Sequence, residues 1–205
     1  MIDLYSGTPG SGKSLHMAEF CYYALKLGKP VIGTFYINEE ITKNLKGKYT
    51  YVNIYDLKPE NLIKYAYRYQ RNHKHKNPEG TMLLMIDEAQ RIFNSREYRG
   101  EGRNEWITFF AEHRHLGYDI ILVSQMDRML DRQIRGLVEY EYIHRKVANF
   151  GIFGKIVKLL FWGDMFVWVK YWYPMKERID SNFYRGTKKF YSFYDSYQLF
   201  RKAQP

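Results

Sequence analysis

Eight consecutive residues near the start of the chain, Gly7-Thr8-Pro9-Gly10-Ser11-Gly12-Lys13-Ser14, have the spacing G-x-x-x-x-G-K-[ST]. They stand between a short apolar run and a helical stretch. In that setting the glycines let backbone N–H groups turn inward around a phosphate, while the following helix aims its positive dipole end at the same charge. Lys13 would reach the β- and γ-phosphates of a nucleotide such as ATP, and the Ser14 hydroxyl would sit on Mg²⁺. A glycine-rich turn that only capped a helix would not explain Lys13 and Ser14 in register. Further along, the apolar run Met82-Leu83-Leu84-Met85-Ile86 ends in Asp87-Glu88. Asp87 is the expected acid of the metal shell, and Glu88 the carboxylate that orients or deprotonates an attacking water. Taken alone, the pair could also cap a helix. A third run, Ile120-Ile121-Leu122-Val123, ends in Ser124-Gln125. If it lies between the other two strands, Gln125 faces the γ-phosphate as a sensor of hydrolysis; otherwise Ser124-Gln125 is a turn.

Phosphoryl transfer spreads negative charge, and an inserted guanidinium accelerates it by ~10³ to 10⁵. Arg114 is the first candidate for that role, with Arg132 and Arg135 beside it, each acting on a neighbouring subunit's nucleotide. His113 and His115 flank Arg114 but bring no cysteine or carboxylate cluster of the kind zinc requires.

These residues need elements to hold them. Ile2 to Tyr5 reads as a strand and Ser14 to Leu27 as a helix closed by Gly28 and Pro30. Val31 to Tyr36 and Tyr49 to Tyr55 read as extended, and Pro59 to Tyr69 as a helix with proline in its first turn. Arg71 to Gly80 reads as a basic loop. Thr81 to Ile86 and Asp119 to Val123 are continuous apolar runs, the pattern of strands buried on both faces, and Asn104 to Leu116 is helical between them. Alternation of strands and helices predicts an α/β fold: a P-loop NTPase with a mainly parallel sheet flanked by helices. From Val138 the pattern turns Tyr- and Phe-rich, which predicts an antiparallel elaboration over residues 138–205 of a single domain. Ile156 to Tyr173 reads as two strands joined at Gly163-Asp164, with a membrane-contacting segment as the alternative, because Trp162, Trp168, Trp172 and Tyr173 suit lipid headgroups.

Composition narrows the classes. The 205 residues are 45% hydrophobic and 26% charged, which excludes disorder and a disulfide mini-fold. One cysteine, Cys21, forms no internal disulfide and fits a reducing compartment. A net charge of +10 attracts nucleic acid, anionic lipid or polyphosphate without naming a partner. The first residues contain neither the basic region nor the apolar stretch of a signal peptide.

On the segments Gly7–Ser14 (GTPGSGKS), Leu83–Gln90 (LLMIDEAQ) and His113–Gln125 (HRHLGYDIILVSQ), the chain resembles the zonula occludens toxin N-terminal domain family, which includes the gene I assembly proteins of filamentous phages. Weaker likeness lies in Ile134–Glu139 (IRGLVE) and Tyr191–Tyr197 (YSFYDSY). The resemblance implies an ATPase at the cytoplasmic face of the host inner membrane that powers assembly and extrusion of a virion. It places nucleotide and Mg²⁺ on Lys13 and Ser14, and acids at Asp87 and Glu88. The expected partners are further copies of the chain in a ring, phage assembly and coat proteins, and single-stranded DNA. Family members continue into a transmembrane helix and an outer domain, so membrane association is expected through a segment outside this chain, itself soluble. A DNA-translocating or conjugation-type ATPase is the second reading, favoured by the charge and by His73-Lys74-His75-Lys76. A nucleotide-gated scaffold is the third, and Glu88 argues against it.

Overall fold

Apolar runs too short for helices become the inner strands of one sheet, and the amphipathic stretches between them cover its two faces. The computed structural model describes residues 1–73, 77–95, 102–150 and 164–194. In chain order the elements are β1 (Ile2–Ser6), α1 (Lys13–Lys26), β2 (Val31–Gly33), α2 (Glu39–Thr42), β3 (Tyr49–Tyr51), α3 (Pro59–His73), β4 (Met82–Ile86) and α4 (Arg103–Leu116). They continue with β5 (Tyr118–Val123), α5 (Arg132–Arg135), β6 (Tyr140–Lys146), β7 (Met165–Trp172), β8 (Glu177–Arg185) and α6 (Lys188–Phe193).

Among the described residues the eight strands form a single sheet in the order β3-β2-β4-β5-β1-β6-β7-β8. The first six are parallel neighbours, and β7 and β8 add on antiparallel. Alternate residues of the inner strands feed two cores. Ile2, Leu4, Leu84, Ile86, Ile120 and Leu122 pack toward α3 and α4. Tyr5, Leu83, Met85, Ile121 and Val123 pack toward α1 and Phe193 of α6. Each large apolar side chain fully buried this way contributes about 1.5–3 kcal/mol.

Several elements differ from the sequence expectation, each for a local reason. β2 stops at Gly33 instead of Tyr36, because the chain leaves the sheet to cross the end of β4: Thr34 N–H donates to Met85 O and the Thr34 hydroxyl accepts from Asp87 N–H at 2.9 Å. β3 covers only Tyr49–Tyr51, and a 3-10 turn follows at Ile54–Asp56. α3 runs on to His73, whose ring stacks on Tyr69 at 4.0 Å, so the basic segment begins inside a helix; residues 74–76 lie outside the described residues. β6, expected as part of an antiparallel elaboration, pairs parallel with β1. The aromatic region then supplies β7, β8 and the unexpected helix α6. The predicted strand from Ile156 and the Gly163 turn fall largely outside the described residues, and β7 carries the rest. Among the described residues no helix is long and apolar enough to cross a membrane.

A pair of histidines joins α1 to β6 beneath the phosphate loop. His144 Nδ1 is 2.9 Å from Tyr142 O, an acceptor, so it carries the ring proton, and Nε2 accepts from His16 Nδ1 at 2.9 Å. His16 stacks between Tyr5 and Trp168 at 4.7 and 5.8 Å. Burial lowers His16 from 6.5 to about 4 and holds His144 far below its usual value. Below pH 6.5 the unfolded chain takes up a proton at His16 that the folded chain refuses until about pH 4. The stability tied to this residue is therefore complete above that window and is lost as pH falls through it, by about 3 kcal/mol. Replacing His16 with Gln, an uncharged donor, should flatten the fall of the urea midpoint across the window; an equally steep fall in the variant would refute the assignment.

Candidate functional site

β5 lies between β1 and β4, so the C-terminal ends of three parallel strands deliver the glycine-rich loop, Ser124-Gln125 and Asp87-Glu88 to one edge of the sheet. The loop leaves β1 at Gly7, whose N–H donates to Gln125 O at 3.2 Å, and enters α1 through Gly12. Gly12 has φ +98°, and a Cβ there would come within 2.5 Å of the Tyr184 hydroxyl and 2.7 Å of the Phe166 ring. Both backbone conformation and space demand glycine. Lys13 is buried, with Nζ donating to Gly7 O at 2.7 Å and Thr8 O at 3.1 Å. Its pKa is lowered by burial, against which the carboxylates of Glu88 and Asp87 act.

Asp87 is buried at the tip of β4, and each of its oxygens is met by a donor. Glu88 N–H donates to Oδ1 at 3.0 Å, and the Tyr194 hydroxyl donates to Oδ2 at 2.6 Å. Burial pushes the carboxyl above its usual range and the Glu88 charge adds to this, while the Tyr194 and Glu88 hydrogen bonds and the Lys13 ammonium pull it back. Glu88 is a non-glycine residue in the left-handed region, at φ +51°, a conformation that occurs at functional sites at a cost of about 1–3 kcal/mol. Its carboxylate lines the cleft and accepts from Gln90.

The cleft has a volume of about 1200 Å³. Its floor is the loop from Pro9 to Leu15, and Glu88 and Gln125 face it. One wall is Tyr36 to Glu40, leading into α2, and the other is Phe166 with Phe190, Tyr191 and Tyr194. The structure thus brings together Pro9, Gly10, Ser11, Gly12, Lys13, Ser14, Glu88 and Gln125, with Asp87 buried directly behind; Gly7 and Thr8 form the base of the loop. A phosphate suits this cradle. The Ser11 hydroxyl is buried there without a hydrogen-bond partner, and an ammonium stands at its rim. Mg²⁺ suits the donors, since Ser14 and Asp87 offer hard oxygens and a nucleotide supplies others. Among the described residues no three His, Cys, Asp or Glu side chains group into a metal cage of their own.

The arginines part company. Arg114 is not brought to the cleft: it sits at the end of α4, by the N-terminal ends of the strands, with its guanidinium 2.9 Å from Glu139 and 3.6 Å from Glu79. Arg135 is 3.9 Å from Asp127. Arg132 is exposed at the first residue of α5. His113 turns inward to Phe110 O at 2.6 Å, while His115 is exposed. Sequence reasoning missed Thr34, Phe166 and Tyr194. Only Tyr194 left a signal, in the segment Tyr191–Tyr197 noted for its weak family likeness.

A model of the family described as Zonular occludens toxin (Zot) matches residues 1–197. The putative assembly protein ORF301 of Pseudomonas phage Pf3 is 29% identical over 140 residues, which cover 67% of this chain and 40% of that protein. The chain therefore spans less than half of that relative. Among solved structures, the N-terminal domain of zonular occludens toxin from Neisseria meningitidis aligns with a TM-score of 0.57 at 21% identity, covering 95% of this chain and 98% of that one. The genome packaging NTPase B204 of Sulfolobus turreted icosahedral virus 2, in complex with ATP-gammaS, aligns at 0.51 and 16% identity, covering 91% and 96%. The fold is that of the P-loop NTPases.

A methyl group at Gly12 has neither a permitted backbone conformation nor room. Gly12→Ala should lower the unfolding free energy by about 1–3 kcal/mol and remove binding of a fluorescent ATP analogue, measured by urea titration and anisotropy; unchanged binding would remove the loop from the site.

Proposed function

The chain belongs to the Zonular occludens toxin (Zot) family, and on that footing we propose that it hydrolyses ATP with Mg²⁺ and spends the energy on assembling and extruding a filamentous virion. The observation that carries this reading is the convergence of Lys13, Asp87, Glu88 and Gln125 on one cleft from three neighbouring strand ends. Backbone N–H groups of the loop and Lys13 bind the β- and γ-phosphates. Ser14 and Asp87 would hold the metal, which would supply positive charge to offset that of the phosphates. Glu88 is poised by its left-handed backbone to take a proton from water, and Gln125 senses the γ-phosphate from the strand between.

The protein works as a homo-oligomeric ring, with Arg132 presented to the neighbouring subunit's nucleotide, a position supported by its exposure and by the engagement of Arg114 at the far edge. Its other partners are phage assembly and coat proteins and the single-stranded DNA they enclose, and it acts at the cytoplasmic face of the host inner membrane through a segment outside this chain. The relative from phage Pf3 named as a putative assembly protein supports this setting.

Lys13→Ala should abolish binding and turnover of ATP in a coupled assay; wild-type turnover would show the loop to be unused. Glu88→Gln should keep nucleotide affinity while slowing hydrolysis by ~10² or more, and equal loss of both would remove Glu88 from the base role. Mixing Arg132→Ala with Lys13→Ala subunits tests the ring. Partial recovery of activity is expected, because a Lys13→Ala subunit can lend its arginine to the intact loop of an Arg132→Ala neighbour, and two inactive populations that stay inactive when mixed would argue against action between subunits.

A further inference from the structure

Tyr194 is 107 residues from Asp87 in sequence and touches it in space. Its hydroxyl donates to Asp87 Oδ2 at 2.6 Å, and Ser14 lines the cleft beside it. One phenol oxygen therefore touches one of the two protein groups that would hold the metal and stands next to the other. The placement is built into the fold rather than left to a loose end. Phe193 is fully buried in the core beneath α1. Its carbonyl accepts from Asn38 N–H at 2.9 Å, Tyr194 forms an antiparallel bridge with Ile37, and its ring packs on Phe35 at 5.5 Å.

A phenol held this way can keep donating to Asp87 while Ser14 turns an oxygen lone pair to a cation, because an ionised carboxylate oxygen accepts more than one bond. Groups that orient metal ligands from behind commonly set metal affinity by 10- to 100-fold. We infer that Tyr194 is a positioning residue of the metal–nucleotide site: it fixes the rotamers of Ser14 and Asp87 so that both oxygens face one cation. Its bridge to Ile37, with the Asn38 N–H bond to Phe193 O beside it, also ties that site to the start of α2. The inference rests on the nucleotide and Mg²⁺ reading given above and adds a residue to it.

The test uses the whole chain and a fluorescent ADP analogue, titrated in EDTA and again across a Mg²⁺ series. Tyr194→Phe keeps the ring and removes the hydroxyl. It should leave the affinity in EDTA within about twofold and raise the Mg²⁺ concentration for half-maximal enhancement about tenfold. Phe35→Leu, which loosens the packing under the ring but leaves the hydroxyl, should shift the Mg²⁺ requirement much less. An unchanged Mg²⁺ requirement in Tyr194→Phe would overturn the inference. So would a lower one, which would mean that the phenol competes with the metal, and so would a parallel loss in both arms, which would make Tyr194 a packing residue only. A wild-type protein that binds the analogue without any response to Mg²⁺ would count instead against the metal reading itself.

Discussion

A carboxylate taken out of water at the tip of an inner strand must be compensated, and the surroundings of Asp87 are arranged to do so. Left alone it would take up a proton and lose its negative charge. The Glu88 N–H, the Tyr194 hydroxyl and the Lys13 ammonium each oppose that outcome. Three irregularities of the fold follow from the same demand. β2 ends early, which lets the Thr34 hydroxyl accept from the Asp87 N–H. Glu88 takes a left-handed backbone, which turns its carboxylate into the cleft while its N–H stays with Asp87. The chain returns after β8 to bring α6 and Tyr194 against Ser14 and Asp87.

What could be read from the sequence was what is local. The loop from Gly7 to Ser14 and the apolar runs that become β1, β4 and β5 declare themselves because their chemistry depends on spacing of a few residues, and the fold class followed from their alternation with helices. The contribution of Gln125 was conditional on the order of strands, which no local pattern encodes; β5 between β1 and β4 supplies that order. Thr34 left no trace and Tyr194 only its place in a weakly family-like segment, because nothing about a threonine after a glycine, or a tyrosine in an aromatic-rich tail, says that it will meet an aspartate far away in sequence. The arginines illustrate the same limit. Arg114 stands within a segment of strong family likeness, yet its guanidinium is engaged by Glu139 and Glu79 at the edge remote from the cleft.

Aromatic side chains crowd the last third of the chain. Many of them are used internally. Phe166, Phe190 and Tyr191 wall the cleft, Tyr184 donates to Gly12 O at 2.9 Å, and Trp168 stacks on His16. Composition identifies rings that must pack against something but not whether that something belongs to the same chain. The remainder, including Phe183 at 60% exposure on the outermost strand, does face outward.

The cross-link between Tyr194 and the turn after β2 also orders events in time. Loop, metal acid and strand tip are all synthesised well before the tyrosine that braces them, and contacts between such distant parts of a chain are the slowest to form. During translation the earlier elements emerge from the ribosome with the brace still unmade, so a nascent chain can hold the inner strands and the glycine-rich loop while Asp87 lacks one of its two donors. Of the contacts around Asp87, the one from Tyr194 is the last that the growing chain can make.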